Sequence, residues 1–173
     1  ESAGGLGGSG VYVSLVAESL GAGMVLEPFI SGLLLPGKLI ALAGSNAQQE
    51  SLLIPLAEGR LQLAVAWAEN SARQDPAHCE TLAERNQDGW LLRGRKLCVL
   101  NAPNAERLLV SARTAGANND EKGISLFEVS VRAAGVTLES YPLMGGGVAA
   151  NITLDHVQLS PDAMLGSADV GFA

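Results

Sequence analysis

Two histidines and two cysteines are the side chains of this chain best suited to bind a metal or to act as nucleophiles. One run, His78-Cys79-Glu80, places three possible metal ligands next to one another. A zinc site needs three or four ligands that converge on one point, but consecutive residues of an extended strand point to opposite faces. The sequence also lacks the Gly-x-Ser-x-Gly pattern of a hydrolase nucleophile. We therefore predict neither a metal site nor a serine hydrolase triad.

A glycine pattern near the start of the sequence matches the spacing of a dinucleotide-binding loop. Gly5-Leu-Gly-Gly-Ser-Gly10 reads Gly-x-Gly-x-x-Gly. In that fold the loop joins a strand to a helix, so that the helix N-terminus meets the pyrophosphate. Four residues precede Gly5, too few for the strand. The pattern therefore favours a surface loop that leads into a helix at Val11.

Charge and cysteine content narrow the class of protein. The 173 residues include 11 Lys and Arg against 18 Asp and Glu, for a net charge of −7. An acidic chain without a basic stripe is not typical of nucleic-acid binding. Cys79 and Cys98 are too few for a disulfide scaffold, which favours a reducing, cytoplasmic location. The longest apolar stretch, Phe29 to Leu42, is interrupted by glycine, proline and lysine, so we predict no membrane span.

The first third of the sequence has the apolar spacing of helices. We predict one helix over Val11 to Leu20, two short helices within Leu26 to Ala43 that meet near Pro36-Gly37, and a third segment over Ala47 to Ala57. Ser45 or Asn46 is the predicted N-cap of that last helix, because short polar side chains there accept hydrogen bonds from free backbone N–H groups.

After Gly59 the pattern changes to short apolar runs separated by turns. Gln87-Asp88-Gly89 is a hairpin signal, and the polar stretch from Ala115 to Lys122 is a surface loop. Many short strands at regular spacing indicate an antiparallel barrel or sandwich. The predicted strands are 61–67, 81–84, 90–92, 96–100, 107–113, 123–129, 136–140 and 150–159.

Three segments carry a family resemblance through their order and spacing. They are a helix end, Gly44-Ser-Asn-Ala-Gln-Gln-Glu-Ser-Leu-Leu-Ile-Pro-Leu-Ala-Glu-Gly59, a strand and turn, Ala64-Val-Ala-Trp-Ala-Glu-Asn-Ser-Ala-Arg-Gln-Asp75, and a second strand region, Asp88-Gly-Trp-Leu-Leu-Arg-Gly-Arg-Lys-Leu-Cys-Val-Leu-Asn101. The sequence resembles the acyl-CoA dehydrogenases, flavoenzymes that oxidise the α,β C–C bond of acyl-CoA thioesters. The resemblance implies an α+β fold, with a helical N-terminal segment followed by an antiparallel β-barrel.

The positions that contact flavin in the family carry different residues here. Members typically read Ala-x-Thr-Glu-Pro-x-Ala-Gly-Ser-Asp, where this sequence has Ala66 to Asp75. The threonine falls on Ala68, and the Gly-Ser pair near cofactor and thioester falls on Arg73 and Gln74. The family's Trp-Ile-Ser/Thr-Asn becomes Cys98-Val-Leu-Asn101, which replaces an indole by Cys98 and a hydroxyl by Leu100.

The resemblance therefore implies cofactor contacts at Trp67, Ala68, Cys98 and Leu100 and substrate contacts at Arg73 and Gln74. Trp67 ends an apolar strand, so its indole belongs either to the core or to the wall of a site. Each lost hydroxyl or aromatic contact costs about 0.5–1.5 kcal/mol. Three such losses weaken cofactor binding by roughly two to three orders of magnitude.

The resemblance also implies a division of the chain. Residues 1–59 correspond to part of the N-terminal helical domain and residues 60–173 to the middle β-barrel domain. The family's catalytic base is a carboxylate in a C-terminal helical domain, which would start after about Gly171 and is absent here. We assign no catalytic residue, and we expect FAD in the complete protein or complex but not in this fragment.

The substituted turn, Glu69-x-x-Ala-Arg-x-Asp75, resembles the small subunits of heteromeric, pimeloyl-CoA-type dehydrogenases. The partners so implied are an acyl-CoA substrate and other subunits, in a homo-oligomer or a hetero-oligomer with a large acyl-CoA dehydrogenase subunit. The alternative is a non-catalytic scaffolding subunit that keeps the fold and the interface.

Overall fold

The computed structural model describes residues 10–71 and 75–171. Its N-terminal third is helical, as predicted. In chain order it contains α1 (Gly10–Ala22), a π-helical segment (Phe29–Leu34), α2 (Leu35–Ala43) and α3 (Asn46–Ala57). The predicted junction near Pro36-Gly37 lies instead between Leu34 and Leu35. Proline fits the first turn of a helix, where its missing N–H has no intrahelical partner, so Pro36 lies in the first turn of α2 and does not interrupt it.

Helix α3 begins with the predicted cap and is fixed to the sheet by the same residues. The Gln48 N–H donates to Ser45 Oγ (3.3 Å), and the Ser45 N–H donates to Gln48 Oε1 (3.0 Å). This reciprocal pair is a capping box. The Gln48 amide also donates to the carbonyls of Asp162 (3.0 Å) and Met164 (3.2 Å). Gln48 of the capping box therefore also fixes α3 to the segment that contains Asp162 and Met164.

The remaining residues form one sheet of eight strands. The strands are β1 (Leu63–Ala66), β2 (Leu82–Asn86), β3 (Gly89–Leu100), β4 (Arg107–Arg113), β5 (Ile124–Ser130), β6 (Val136–Pro142), β7 (Val148–Leu159) and β8 (Met164–Leu165). They are ordered β6-β7-β3-β2-β4-β5-β8, and β1 pairs with β4 outside this path.

The predicted antiparallel β-barrel is not confirmed, because the described strands follow an open path and the sheet is mixed. Strand β1 runs parallel to β4, from Leu63 beside Arg107 to Ala66 beside Val110. Strand β2 also meets β4 in parallel, at Leu82 and Arg113. Periodicity and turn residues reveal that strands exist, but not which strands pair after the chain has left the sheet and returned.

Strand β3 is longer and less regular than the two strands predicted over its length. Its pairing with β7 shifts between Leu92 and Gly94 and again between Lys96 and Val99. Gly94 has φ +153°, and a Cβ there would lie 2.6 Å from Thr81 Oγ1, so glycine is needed where β3 passes the start of β2. These two bulges bend β3 and leave Cys98 with φ +49°.

Two apolar clusters fill the space on either side of the sheet. One lies within the strand region, where the Trp90 and Phe127 rings meet edge to face at 5.3 Å between centroids. The other joins helices to strands, with Ile40 and Leu52 packed against Leu63 and Leu109. The second cluster fixes where the helices lie relative to β1. Among the described residues, no helix is long and apolar enough to cross a membrane.

Replacing Ser45 by alanine removes the side-chain acceptor of the capping box, and we expect a loss of about 1 kcal/mol in the free energy of unfolding. Urea denaturation followed by circular dichroism measures it. Ser51→Ala is the matched control, since Ser51 is an exposed serine of the same helix whose hydroxyl meets only the Gln48 carbonyl (3.3 Å). Equal midpoints for the two variants would contradict the role of the cap.

Candidate functional site

A cavity of about 480 Å³ lies where the helical segment meets the ends of β1 and β3. Trp67 and Ala68, which follow β1, line it together with Cys98 and Leu100 of β3. The four predicted cofactor residues are thus neighbours in space although the two pairs lie about thirty positions apart in sequence. Arg73 and Gln74, the predicted substrate residues, lie outside the described residues.

The cavity has an apolar wall with a polar rim. Leu35, Val65, Leu97 and Leu100 supply apolar surface, and Ser31 of the π-helical segment supplies a hydroxyl. Trp67 is 37% exposed and is therefore part of the cavity wall and not of the core. This mixture is typical of pockets that hold a largely apolar ligand and orient it with a few polar groups.

The backbone around the cavity is fixed by two contacts of β3. The Leu97 N–H donates to the Ala68 carbonyl at 2.8 Å and so joins the turn after β1 to β3. The Cys98 N–H donates to Asn151 Oδ1 of β7 at 3.2 Å, which holds Cys98 in its left-handed conformation. Because Cys98 sits on the bulge, its thiol is exposed at the cavity and not buried in the sheet.

A buried ion pair lies behind this wall. Lys96 Nζ is 2.6 Å from Glu69 Oε1, and the two side chains are 0% and 2% exposed. The ammonium also donates to Ser111 Oγ (3.1 Å) and to the Trp67 carbonyl (3.4 Å). One cation thus contacts β4 and two residues of the turn that lines the cavity.

The Glu69 carboxylate is surrounded by donors. It accepts hydrogen bonds from the Glu80 N–H (2.6 Å), the Thr81 N–H (3.0 Å) and the Thr81 hydroxyl (2.6 Å). Burial alone would raise the pKa of Glu69, but the charge and hydrogen bond of Lys96, with those of Thr81 and Glu80, lower the pKa on balance. Glu69 is therefore ionised at neutral pH.

Lys96 was not identified from the sequence as a site residue. A signal existed, since Lys96 lies an even number of residues from Trp90 and Leu92, two buried residues of a strand in which side chains alternate between faces. Such a lysine needs a buried anion, and Glu69 is a residue that matches the family pattern. The sequence alone did not reveal that the two meet.

Arg113 and Cys79 extend this buried polar region toward the loop before β2. The Arg113 guanidinium donates to the carbonyls of five residues, namely Ala77, Cys79, Asn118, Asp120 and Lys122, at 2.8–3.4 Å. The Cys79 thiol is buried beside Lys96 and Glu69, and desolvation raises the pKa of that thiol. Cys79 is therefore a protonated packing residue and not a nucleophile.

Part of the His78-Cys79-Glu80 run does converge. Ligand atoms of Glu69, His78 and Glu80 lie within 4.8 Å of one another, while Cys79 points inward. His78 is held between Asn119 Oδ1 and Glu80 Oε1, and these hydrogen bonds, that of Asn119 first, raise the pKa of His78. Glu69 already neutralises Lys96. The absence of a metal site stays a prediction.

Comparisons with known proteins agree with this arrangement. Residues 64–157 match the family model described as acyl-CoA dehydrogenase, middle domain. Acyl-CoA dehydrogenase FadE12 of Mycobacterium tuberculosis is 30% identical over 96% of this chain and 44% of its own length. The CarC subunit of the caffeyl-CoA reductase-Etf complex of Acetobacterium woodii is 30% identical over 97% of this chain and 46% of its own length.

A solved structure shows the same fold over nearly all of the chain. A probable acyl-CoA dehydrogenase from Mycobacterium abscessus superposes with a TM-score of 0.87 at 24% identity, covering 99% of this chain and 46% of the other. The chain thus spans about half the length of the relatives it matches. From the match of its strands and the similarity over its whole length, the chain belongs to the acyl-CoA dehydrogenase family.

Proposed function

We propose that this chain is part of a subunit of a flavin-dependent acyl-CoA dehydrogenase, an oxidoreductase acting on CH–CH groups, and that the cavity beside Trp67 faces the flavin of FAD. The observation that carries the proposal is that Trp67, Ala68, Cys98 and Leu100 surround one cavity. These are the positions at which the family contacts flavin. In this view residues 1–59 belong to the N-terminal helical domain and residues 60–173 to the middle domain.

The cavity fits one edge of a planar ring system. Its volume of about 480 Å³ lies in the usual range for ligand pockets, and Trp67, Leu97 and Leu100 offer an apolar surface on which such a ring packs. Bound FAD supplies the electron acceptor of the oxidation. The residues of this chain bind and orient the ring and exclude water. The resemblance assigns proton removal to a carboxylate of a C-terminal helical domain, so we assign no catalytic residue among residues 1–173.

The proposed flavin contacts are weaker than those of a typical member. Ala68 offers no hydroxyl, Cys98 offers a thiol in place of an indole, and Leu100 offers methyl groups in place of a hydroxyl. Each flavin carbonyl or ring nitrogen left without a hydrogen-bond partner at these positions lowers the binding free energy of the cofactor by about 0.5–1.5 kcal/mol. The cavity therefore keeps its shape while it loses polar contacts with the cofactor.

This loss supports a small subunit of a hetero-oligomer, in which flavin sites are shared with a large acyl-CoA dehydrogenase subunit. Arg73 and Gln74 are bulkier than the Gly-Ser pair of typical members, and we propose that they face the thioester or phosphate groups of acyl-CoA. A planar arginine cation suits phosphate. CarC, one of the relatives, is itself named as a subunit of a complex. Both Cys79 and Cys98 are free thiols, in keeping with a cytoplasmic protein.

A non-catalytic scaffolding subunit is the second candidate function. The same substitutions favour it, because a subunit that holds no flavin has no need of the threonine, indole and hydroxyl at positions 68, 98 and 100. The two candidates differ in whether the purified complex carries flavin in sites that this subunit lines.

Restoring a hydroxyl at position 68 tests the flavin position directly. In the full-length protein, Ala68→Thr is expected to tighten FAD binding about three- to tenfold, the value of one hydrogen bond. Titration by flavin fluorescence measures the affinity. Ala134→Thr is the matched control on an exposed turn between β5 and β6. The same affinity for the Ala68→Thr variant and the control would contradict a flavin at this cavity.

The polypeptide of residues 1–173 by itself is expected to bind FAD weakly and to show no acyl-CoA oxidation. Proton removal needs a positioned base, which the family supplies from its C-terminal domain. Dye reduction with added FAD and acyl-CoAs of several chain lengths measures activity, and the full-length complex is the positive control. Turnover by the polypeptide alone, or purification with stoichiometric flavin, contradicts the assignment.

The subunit interpretation is tested by expression with and without the product of a neighbouring dehydrogenase gene. We expect the full-length wild-type subunit alone to hold little flavin, and the co-expressed complex to hold flavin and be active. Arg73→Gly in the complex should raise KM for acyl-CoA if the guanidinium meets a phosphate. Arg132→Gly, at an exposed turn, is the control. A lone homo-oligomer with full flavin and full activity would refute the shared site.

A further inference from the structure

We infer that Lys96 is a positioning residue, which holds residues 67–70 in the place where they form one wall of the cavity. This turn contains Trp67 and Ala68, the two cofactor positions that follow β1. The link to flavin rests on the function proposed above, whereas the link to the turn rests on contacts within the chain itself.

The Lys96 ammonium contacts the turn from its buried side. Nζ donates to the carbonyl of Trp67 (3.4 Å) and to the carboxylate of Glu69 (2.6 Å), so it contacts the residues on both sides of Ala68. It also donates to Ser111 Oγ at 3.1 Å, which anchors the cation to β4. Lys96 therefore joins the turn to the centre of the sheet.

Close packing holds only part of this turn. Glu69 is buried, but Trp67 and Asn70 are exposed, and Glu69, Asn70 and Leu97 line the 480 Å³ cavity and also a second cavity of about 620 Å³. The position of this wall therefore depends on the hydrogen bonds of Glu69, including that of Lys96, as well as on packing. The Leu97 N–H donates a hydrogen bond to the Ala68 carbonyl (2.8 Å). Hydrogen exchange at the Leu97 amide therefore measures whether the turn stays in place.

Stability alone does not account for this ion pair. Replacing both members of a buried pair by well-packed hydrophobic residues of similar volume often leaves a fold as stable as before, whereas removing one member leaves a buried charge without its partner. A fully buried lysine next to a glutamate therefore costs desolvation energy and adds little stability to a sheet. It does hold the Trp67 carbonyl and the Glu69 carboxylate at fixed positions. If Lys96 is a positioning residue, removing both charges together should leave the fold intact but displace the cavity wall formed by residues 67–70.

The experiment uses the full-length protein, co-expressed with the product of the neighbouring dehydrogenase gene, with Lys96→Met, Glu69→Gln or the double substitution. Arg93→Met is the matched control. Arg93 forms an ion pair with Glu84 at 3.3 Å on the protein surface, where the side chain of Arg93 is 50% exposed and that of Glu84 is 60% exposed. Three quantities are measured for each: the melting temperature, hydrogen exchange at the Leu97 amide, and the dissociation constant for FAD.

We expect each single substitution to lower the melting temperature and the double substitution to recover most of that loss. In the double variant, exchange at the Leu97 amide should accelerate about tenfold, and the FAD dissociation constant should rise about tenfold, the scale of one lost charge-assisted hydrogen bond. The Arg93→Met control should leave all three quantities unchanged.

Wild-type exchange at Leu97 in the double variant would overturn the inference, as would a double variant that does not fold, since the pair would then serve the sheet itself. A wild-type complex that binds no FAD would reject the proposed function. In that case the exchange rate of Leu97 still decides whether Lys96 positions the turn.

Discussion

The burial of one ammonium group constrains much of this structure. Taking a lysine out of water costs several kcal/mol unless a carboxylate and further hydrogen-bond partners surround it. The Lys96 ammonium finds Glu69 at 2.6 Å and Ser111 at 3.1 Å. These partners bring the segment after β1 and strand β4 to the middle of β3. One charge is therefore satisfied where three parts of the chain meet, and residues 67–70, which supply two of its partners, also line the cavity.

The mixed sheet and the buried cations depend on the same path of the chain. Strand β1 pairs with the first half of β4, and β2 joins β4 in parallel at Arg113. Between them the chain leaves the sheet and returns, and this excursion supplies Glu69 and two of the five carbonyls that accept hydrogen bonds from Arg113, those of Ala77 and Cys79. Parallel pairing and the buried polar groups are consequences of one path of the chain.

Local patterns were enough to predict most elements but not their irregularities. Ser45 was a candidate cap from residue types alone, and the strand at 107–113 has the predicted bounds, because both depend on neighbours in sequence. The bulges of β3 depend on the close approach of Thr81 to Gly94, and the path of the sheet depends on pairings between distant segments. The resemblance predicted cofactor contacts at Trp67, Ala68, Cys98 and Leu100, which line one cavity, and the contacts themselves stay a prediction. Lys96 was missed because its partner is 27 residues away.

The frame of the cavity and the chemistry of its surface depend on different residues. Cys98 and Asn101 both have positive φ, 49° and 63°, a conformation that costs about 1–3 kcal/mol for a residue other than glycine. Strand β7 holds them there, through Asn151 Oδ1 for the Cys98 N–H and the Val148 carbonyl for the Asn101 N–H. None of these contacts uses the side chain of Ala68, Cys98 or Leu100. Substitutions at those positions therefore change the chemistry of the cavity surface while its shape persists, and under the proposed function this is how the subunit loses affinity for flavin without losing its fold.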